Sequence, residues 1–249
     1  MKKKISIIIP VFNDAIAIKT TINAILGQKF DLKQCEIIII DNGSTDDTID
    51  VVSKFKDIDI LFEHKQLASP YSARNRGIEN SEGEIIVLLD ATCCPCNYWL
   101  EEGVKTLERN NADIVAGNVL FDFQDKITCG KIYDSIINIK MKESVLEKQT
   151  AKTANLFIRR EVFEKIGLFP EGVRSGADVR WTRTATQNRC KMLFSEEAYV
   201  KKVARGFADL IKKQWRVGLG QPQYWLEQDG QIKLSRYFKV SKLLPPKLK

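Results

Sequence analysis

Residues 5–14 read Ile5-Ser6-Ile7-Ile8-Ile9-Pro10-Val11-Phe12-Asn13-Asp14, and the first five form a nearly continuous apolar, β-branched run. A strand with one wet face would alternate apolar and polar residues. An unbroken run suits a strand buried on both faces of a parallel sheet. Pro10 ends it, and Ile16, Ile18, Ile22, Ile25 and Leu26 follow at roughly helical spacing, predicting a helix over 14–28 with Asp14 capping its start. Outward from this unit the pattern repeats. Residues 35–40 are a second buried strand that runs into the turn-forming Asp41-Asn42-Gly43-Ser44. Ile49, Val51, Val52 and Phe55 predict a helix over 48–55, with Asp46 and Asp47 at its positive end. A strand over 58–62, a helix over 69–80 and a strand over 84–89 closed by Asp90 complete the series. Strand, helix, strand, helix is the order of an α/β fold with a parallel sheet and right-handed crossovers.

In open α/β sheets, ligands bind beyond the carboxyl ends of the strands. Three strands here end at Asn13, Asp41 and Asp90, which are therefore expected to line one crevice. Beyond Asp90 the alternation loosens. Helices are predicted over 99–110, 161–166, 176–188 and 208–217, strands over 113–123 and near 191–194, and a mixed amphipathic stretch over 132–145. With no internal repeat or low-complexity linker, the second half should extend the same sheet.

The 249 residues, 44% of them hydrophobic, suffice for a core without covalent staples. An excess of 39 Lys+Arg over 32 Asp+Glu gives +7, which favours anionic partners such as nucleotide diphosphates. Met1-Lys2-Lys3-Lys4 and the short apolar run after it reach Pro10 too soon for a secretory signal, so a reducing cytoplasm and six free thiols are expected. Cys93-Cys94-Pro95-Cys96 has no second cysteine pair at zinc-finger spacing, and His64 is the single histidine. No apolar run reaches the ~20 residues of a membrane span. No nucleic-acid reading motif or RNP-like aromatic strand is present, so nucleic acid is not an expected partner.

Four motifs follow one another in order: Ser6–Asn13, Ile40–Thr48, Ser72-Ala73-Arg74-Asn75-Arg76-Gly77-Ile78 and Gly83–Asp90. Farther on come Ala154-Asn155-Leu156-Phe157-Ile158-Arg159-Arg160 and Ser175-Gly176-Ala177-Asp178. Together they resemble the family-2 glycosyltransferases over about residues 4–220. The resemblance implies an α/β fold of the GT-A type, with a mostly parallel central sheet flanked by helices. It implies a nucleotide-sugar-binding half over 1–115 and an acceptor-binding, catalytic half of the same domain over 116–220, followed by a basic tail over 221–249. The implied activity is inverting transfer of a sugar from a nucleoside diphosphate, UDP first, to a glycan or lipid-linked acceptor. The setting it suggests is cell-envelope polysaccharide synthesis in a bacterial cytoplasm, at the inner face of the membrane. A GT-A protein that binds nucleotide or glycan without transfer is the alternative.

Position by position, Pro10, Phe12 and Asn13 would flank the base, Asp41 would bond the base or ribose, and Ala73-Arg74 would close over the nucleoside. Asp41 equally suits a turn cap. Asp90 matches the first acid of an Asp-x-Asp signature that holds Mg²⁺ or Mn²⁺ against the diphosphate. Here the third position is Thr92, and Lys202-Val203 stands where a His-Pro is usual. Lys202, with Arg205 and the basic Lys212-Lys213-Gln214-Trp215-Arg216 helix, could neutralise a diphosphate directly, so the chemistry is either metal-assisted through Asp90 or metal-independent. Asp178 is the expected general base, since attack by a hydroxyl needs a carboxylate within hydrogen-bond reach, although it also suits the N-cap of the following helix. Trp99, Arg180 and Trp181 are candidates for an acceptor pocket, because flat aromatics stack on sugar rings, while large aromatics also favour the core. The tail mixes Leu234, Tyr237, Phe238 and several lysines, and offers a peripheral contact with an anionic membrane.

Overall fold

A computed structural model describes residues 4–67, 69–124, 126–173, 175–215 and 217–218. Its strands are β1 (Ile5–Val11), β2 (Cys35–Asp41), β3 (Asp59–Phe62), β4 (Ile85–Leu89), β5 (Cys93–Pro95), β6 (Ile114–Asp122), β7 (Asn155–Arg159) and β8 (Met192–Val203). They form one sheet in the order β3-β2-β1-β4-β7-β6-β8-β5. The helices are α1 (Ala15–Leu26), α2 (Thr48–Val52), α3 (Pro70–Glu79), α4 (Trp99–Arg109), α5 (Cys129–Ile137), α6 (Met141–Lys148), α7 (Arg160–Ile166) and α8 (Ala177–Gln187). Residues 207–215 are helical as well.

The isoleucine-rich runs form the parallel half of the sheet. Ile7 lies opposite Ile37 on one side and Val87 on the other. Ile5, Ile7, Ile8 and Ile9 are all fully buried, as expected of a strand covered on both faces. At roughly 1.5–3 kcal/mol for each fully buried aliphatic side chain, this block outweighs surface ion pairs such as Lys142–Glu196, worth about 0–1 kcal/mol. α3 starts as its sequence suggests: Ser69 accepts from the Ser72 amide, and Pro70 fills the first turn, where its missing N–H costs nothing.

The second half departs from simple alternation. β7, not anticipated as a strand, enters antiparallel between β4 and β6, with Ile86 opposite Ile158 and Val115 opposite Phe157. β8 is longer than the strand expected near 191–194, running for 12 residues with a register shift against β6 between Gly117 and Val119. That length lets β8 pair with β5, which sets Lys202 directly across from Cys93. The helix expected over 48–55 stops at Val52, with Val51 and Phe55 still packed against the core. The amphipathic stretch over 132–145 divides into α5 and α6. No helix among the described residues is long and apolar enough to cross a membrane. All six cysteines are free. The basic tail expected over 221–249 lies outside the described residues.

Asn155, the first residue of β7, ties the late strands together. Its fully buried amide donates to the carbonyls of Asn118 at 3.0 Å and Ala198 at 2.9 Å, and its oxygen accepts from Trp99 Nε1 at 2.8 Å. Trp99 then lies against Phe157, with ring centroids 5.3 Å apart. Close approach here depends on Gly103 of α4, where an added Cβ would stand 2.1 Å from Cζ of Phe157. Gly103→Ala is expected to be destabilising by about 1–2 kcal/mol, since overpacking against a buried ring exceeds the ~1 kcal/mol gained in helix propensity. Thermal denaturation should show a fall in Tm of roughly 3–6 °C.

Candidate active site

β1, β2 and β4 deliver their carboxyl ends to a cleft of about 500 Å³. Of the residues expected to act there, Pro10, Phe12, Arg74, Asp90, Asp178, Lys202 and Arg205 line it. At one wall of the cleft stands a cluster of three charges. Asp90 stands just past β4; its Oδ1 accepts from Arg74 Nη2 at 2.7 Å, and its Oδ2 from Lys202 Nζ at 3.2 Å. Lys202 also donates to Thr92 Oγ1. Arg74 and Lys202 are 3% and 2% exposed, so each cation is committed to this cluster. Burial opposes the charged form of Asp90, but Lys202 and Arg74 outweigh it and hold the carboxyl down at about 2. Burial likewise works against the Lys202 ammonium, and its neighbours Cys93 and Asp90 hold it above the ordinary lysine range. Burial pushes the Cys93 thiol up to about 11, leaving Asp90 as the anion of the group at neutral pH.

Asp178 opens α8 and faces the same cleft. Tyr71 Oη donates to its Oδ1 at 3.0 Å, the Val179 amide to Oδ1 at 2.9 Å and the Thr153 amide to Oδ2 at 3.3 Å. A carboxylate has about four acceptor positions, so three donors fix its plane and leave capacity for one more proton donor. Tyr71 is itself held by the Gly176 amide, which donates to its oxygen at 3.1 Å.

More cations surround this pair. Arg205 is positioned by Asp134 of α5, a fully buried acid that accepts from the Arg205 amide at 2.9 Å and lies 3.7 Å from Nη1. Lys152 lines the cleft, and burial pulls its ammonium below the usual range. Lys213, in the 207–215 helix, donates to Asn138 Oδ1; burial, with Arg205 nearby, brings it down to about 8. Lys213, of the basic helix expected to help neutralise a diphosphate, lines the cleft, as do Asp14, Asn42, Tyr71, Asn138 and Lys152, which were not expected in the site. Asp14 holds the N-cap position of α1 without a capping hydrogen bond, and burial raises its carboxyl above the ordinary value.

Six expected site residues lie elsewhere, and Asn13, Asp41 and Asp90 do not share one crevice. Asp41 is 3% exposed and uses its carboxylate as a turn cap, accepting from the amides of Gly43 and Ser44 at 3.0 Å. Its neighbour Asn42 lines the cleft instead. Asn13, at φ 47°, turns to the same loop: its Oδ1 accepts from the Thr45 amide at 2.7 Å. Ala73 is fully buried inside α3. Trp99 belongs to the Asn155 network, and Trp181 packs between Phe163 and Phe169 while donating to the Gly167 carbonyl at 2.8 Å. Both tryptophans are core, in keeping with the burial preference of large aromatics. Arg180 does not line the cleft. Arg216 lies outside the described residues.

The donor set does not fit a divalent cation. Both oxygens of Asp90 already accept from cations, and Thr92 offers a neutral hydroxyl beside it, so a divalent ion would have to compete with Arg74 and Lys202 for one carboxylate. Among the described residues, no group of three or more His, Cys, Asp or Glu side chains stands together.

The folded-state value of Asp90 lies below the ~3.9 of an unfolded aspartate, so its contribution to stability is complete above about pH 4 and disappears as pH falls toward 2. Asp90→Asn leaves two buried cations without their anion. Its Tm deficit relative to wild type should be largest at pH 7 and shrink between pH 4 and 2. A deficit independent of pH in calorimetric scans would refute the ion-cluster account.

Residues 6–167 match the family model described as Glycosyl transferase family 2. Glycosyltransferase AglE of Haloferax volcanii is 41% identical over 241 residues, which cover 95% of this chain and 78% of AglE. An uncharacterized glycosyltransferase of Rickettsia conorii is 30% identical over 97% of this chain, which spans 40% of that protein's length. Among solved structures, the mannosyltransferase PcManGT from Pyrobaculum calidifontis, in complex with GDP-Man and Mn²⁺, has a TM-score of 0.68 at 20% identity over 94% of this chain and 66% of its own. Staphylococcus aureus TarS with UDP-GlcNAc scores 0.64 at 19% identity, covering 82% of this chain and 59% of that one. At such identities these two speak for the architecture alone, which is that of GT-A glycosyltransferases. The chain belongs to glycosyl transferase family 2 and is a glycosyltransferase with a GT-A fold.

Proposed function

We propose that this glycosyltransferase moves a sugar, with inversion, from a nucleoside diphosphate to an acceptor hydroxyl, with Asp178 as the general base. The observation that carries this reading is the meeting, in one cleft, of a carboxylate with spare acceptor capacity and a cluster of buried cations. Asp178 takes the proton of the acceptor hydroxyl as its oxygen bonds to the anomeric carbon, while the bond from that carbon to the diphosphate oxygen breaks on the opposite face. The charge that develops on the departing diphosphate meets Arg74, Lys202 and Arg205, whose positions are set before reaction. Attack and departure on opposite faces give inversion.

The donor is proposed to be a UDP-sugar. Phe12, 53% exposed at the cleft, offers a ring for a base to stack on. Asn42 is buried yet lines the cleft, and its Oδ1 has no hydrogen-bond partner among the described residues, which suits the imide N–H of a pyrimidine. An unpaired buried acceptor costs about 1–3 kcal/mol, an expense a bound base would remove. The acceptor is proposed to be a glycan or a lipid-linked hydroxyl. Relatives named poly(ribitol-phosphate) beta-N-acetylglucosaminyltransferases, TarP and TarS, support a polymeric acceptor.

Asp178→Asn should leave the Kd for UDP within about twofold of wild type and lower turnover by a hundredfold or more, the scale of general-base catalysis. Product formation and calorimetric binding, measured side by side, check this, and undiminished turnover would remove Asp178 from the mechanism. A thermal-shift series over UDP, GDP and dTDP is expected to give its largest rise in Tm with UDP.

A further inference from the structure

Deepening the proposed function and resting on it, we infer that Lys202 is a resident counter-ion standing where a divalent metal would stand, so that diphosphate binding and transfer need no metal. Three observations converge. The Lys202 ammonium contacts Asp90 Oδ2 and Thr92 Oγ1, so it spans positions 90 and 92 together. It cannot easily be displaced, because β8 is paired to β5 with Lys202 opposite Cys93, and the side chain is 2% exposed. The other Asp90 oxygen is taken by Arg74, itself 3% exposed, at 2.7 Å. A metal ion would have to expel two buried cations from one carboxylate, and each would then be buried without a partner.

Asp90 is thus a positioning residue. It holds Arg74 and Lys202 at the cleft wall, and the cations meet the phosphates. Charge supports this division: the two cations exceed the single carboxylate by one positive charge. Thr92 fits the arrangement because a hydroxyl can accept from an ammonium without adding the second negative charge that a metal shell uses.

The test uses the full chain and two readouts. By calorimetry, UDP is expected to bind wild type with a Kd in excess EDTA within twofold of that in Mn²⁺ or Mg²⁺, and transfer is expected to persist in EDTA. Binding that requires metal, or tightens tenfold or more with it, overturns the inference while leaving the donor reading intact. Absence of UDP and GDP binding under both conditions overturns the donor reading and this inference with it. Lys202→Met, which preserves side-chain bulk, should weaken UDP binding at least tenfold yet leave uridine binding unchanged; equal affinity for UDP would count against the inference. Should that variant fail to fold, Thr92→Asp with Lys202→Ala restores two carboxylates to an emptied position. It is expected to bind UDP only with Mn²⁺, and metal-free binding by this double variant would show that Lys202 was not the counter-ion.

Discussion

A single carboxylate must satisfy two buried cations. Arg74 comes from α3 and Lys202 from β8, and both reach Asp90 at the end of β4. Either cation alone in a low-dielectric setting would carry a large desolvation cost, so the three elements are bound to a common geometry. The rest of the cleft is arranged around that knot. α3 also carries Tyr71, which sets the plane of Asp178 on α8, and the strand that bears Lys202 leads into Arg205. The late, less regular half of the chain is thereby registered against the early parallel half at the candidate active site.

Much of the early half is readable because parallel strands buried on both faces leave an unmistakable trace. Ile5–Ile9, Cys35–Ile40 and Ile85–Leu89 have nowhere to be but in the middle of a sheet. β7 left no such trace. Asn155-Leu156-Phe157-Ile158-Arg159 is only five residues long, and its place between β4 and β6 follows from long-range pairing that periodicity cannot encode. β8 was foreshortened for a different reason: Ser195, Glu196 and Glu197 interrupt its apolar pattern where the ladder with β6 shifts register. Such a bulge looks like a loop until the partner strand is known.

The site was legible wherever a residue's position on a strand or helix end dictated its direction. Asp90 was expected from its place after β4, and Asp178 and Lys202 from the family resemblance at their positions; the fold brings all three to one cleft. Asp41 failed because a turn acid has local amides to satisfy first, and Asn13, in the loop after β1, spends its amide oxygen across the gap on the Thr45 amide of the loop that joins β2 to α2. Trp99 and Trp181 failed because nothing in a lone tryptophan distinguishes a stacking platform from a core side chain. Asn138 and Lys152 were invisible in the sequence because tertiary folding alone brings them to the cleft.

Lys202 is bonded to the chain, whereas a metal ion comes and goes with the nucleotide. An ion can leave as a complex with the spent diphosphate, carrying its attraction away. In the proposed mechanism a tethered ammonium would stay behind with Arg74 and Arg205, and the product would have to escape from fixed positive charge. On the proposed metal-free reading, salt in the surrounding water would ease that escape mainly at the exposed rim of the cleft, because buried charges are screened least.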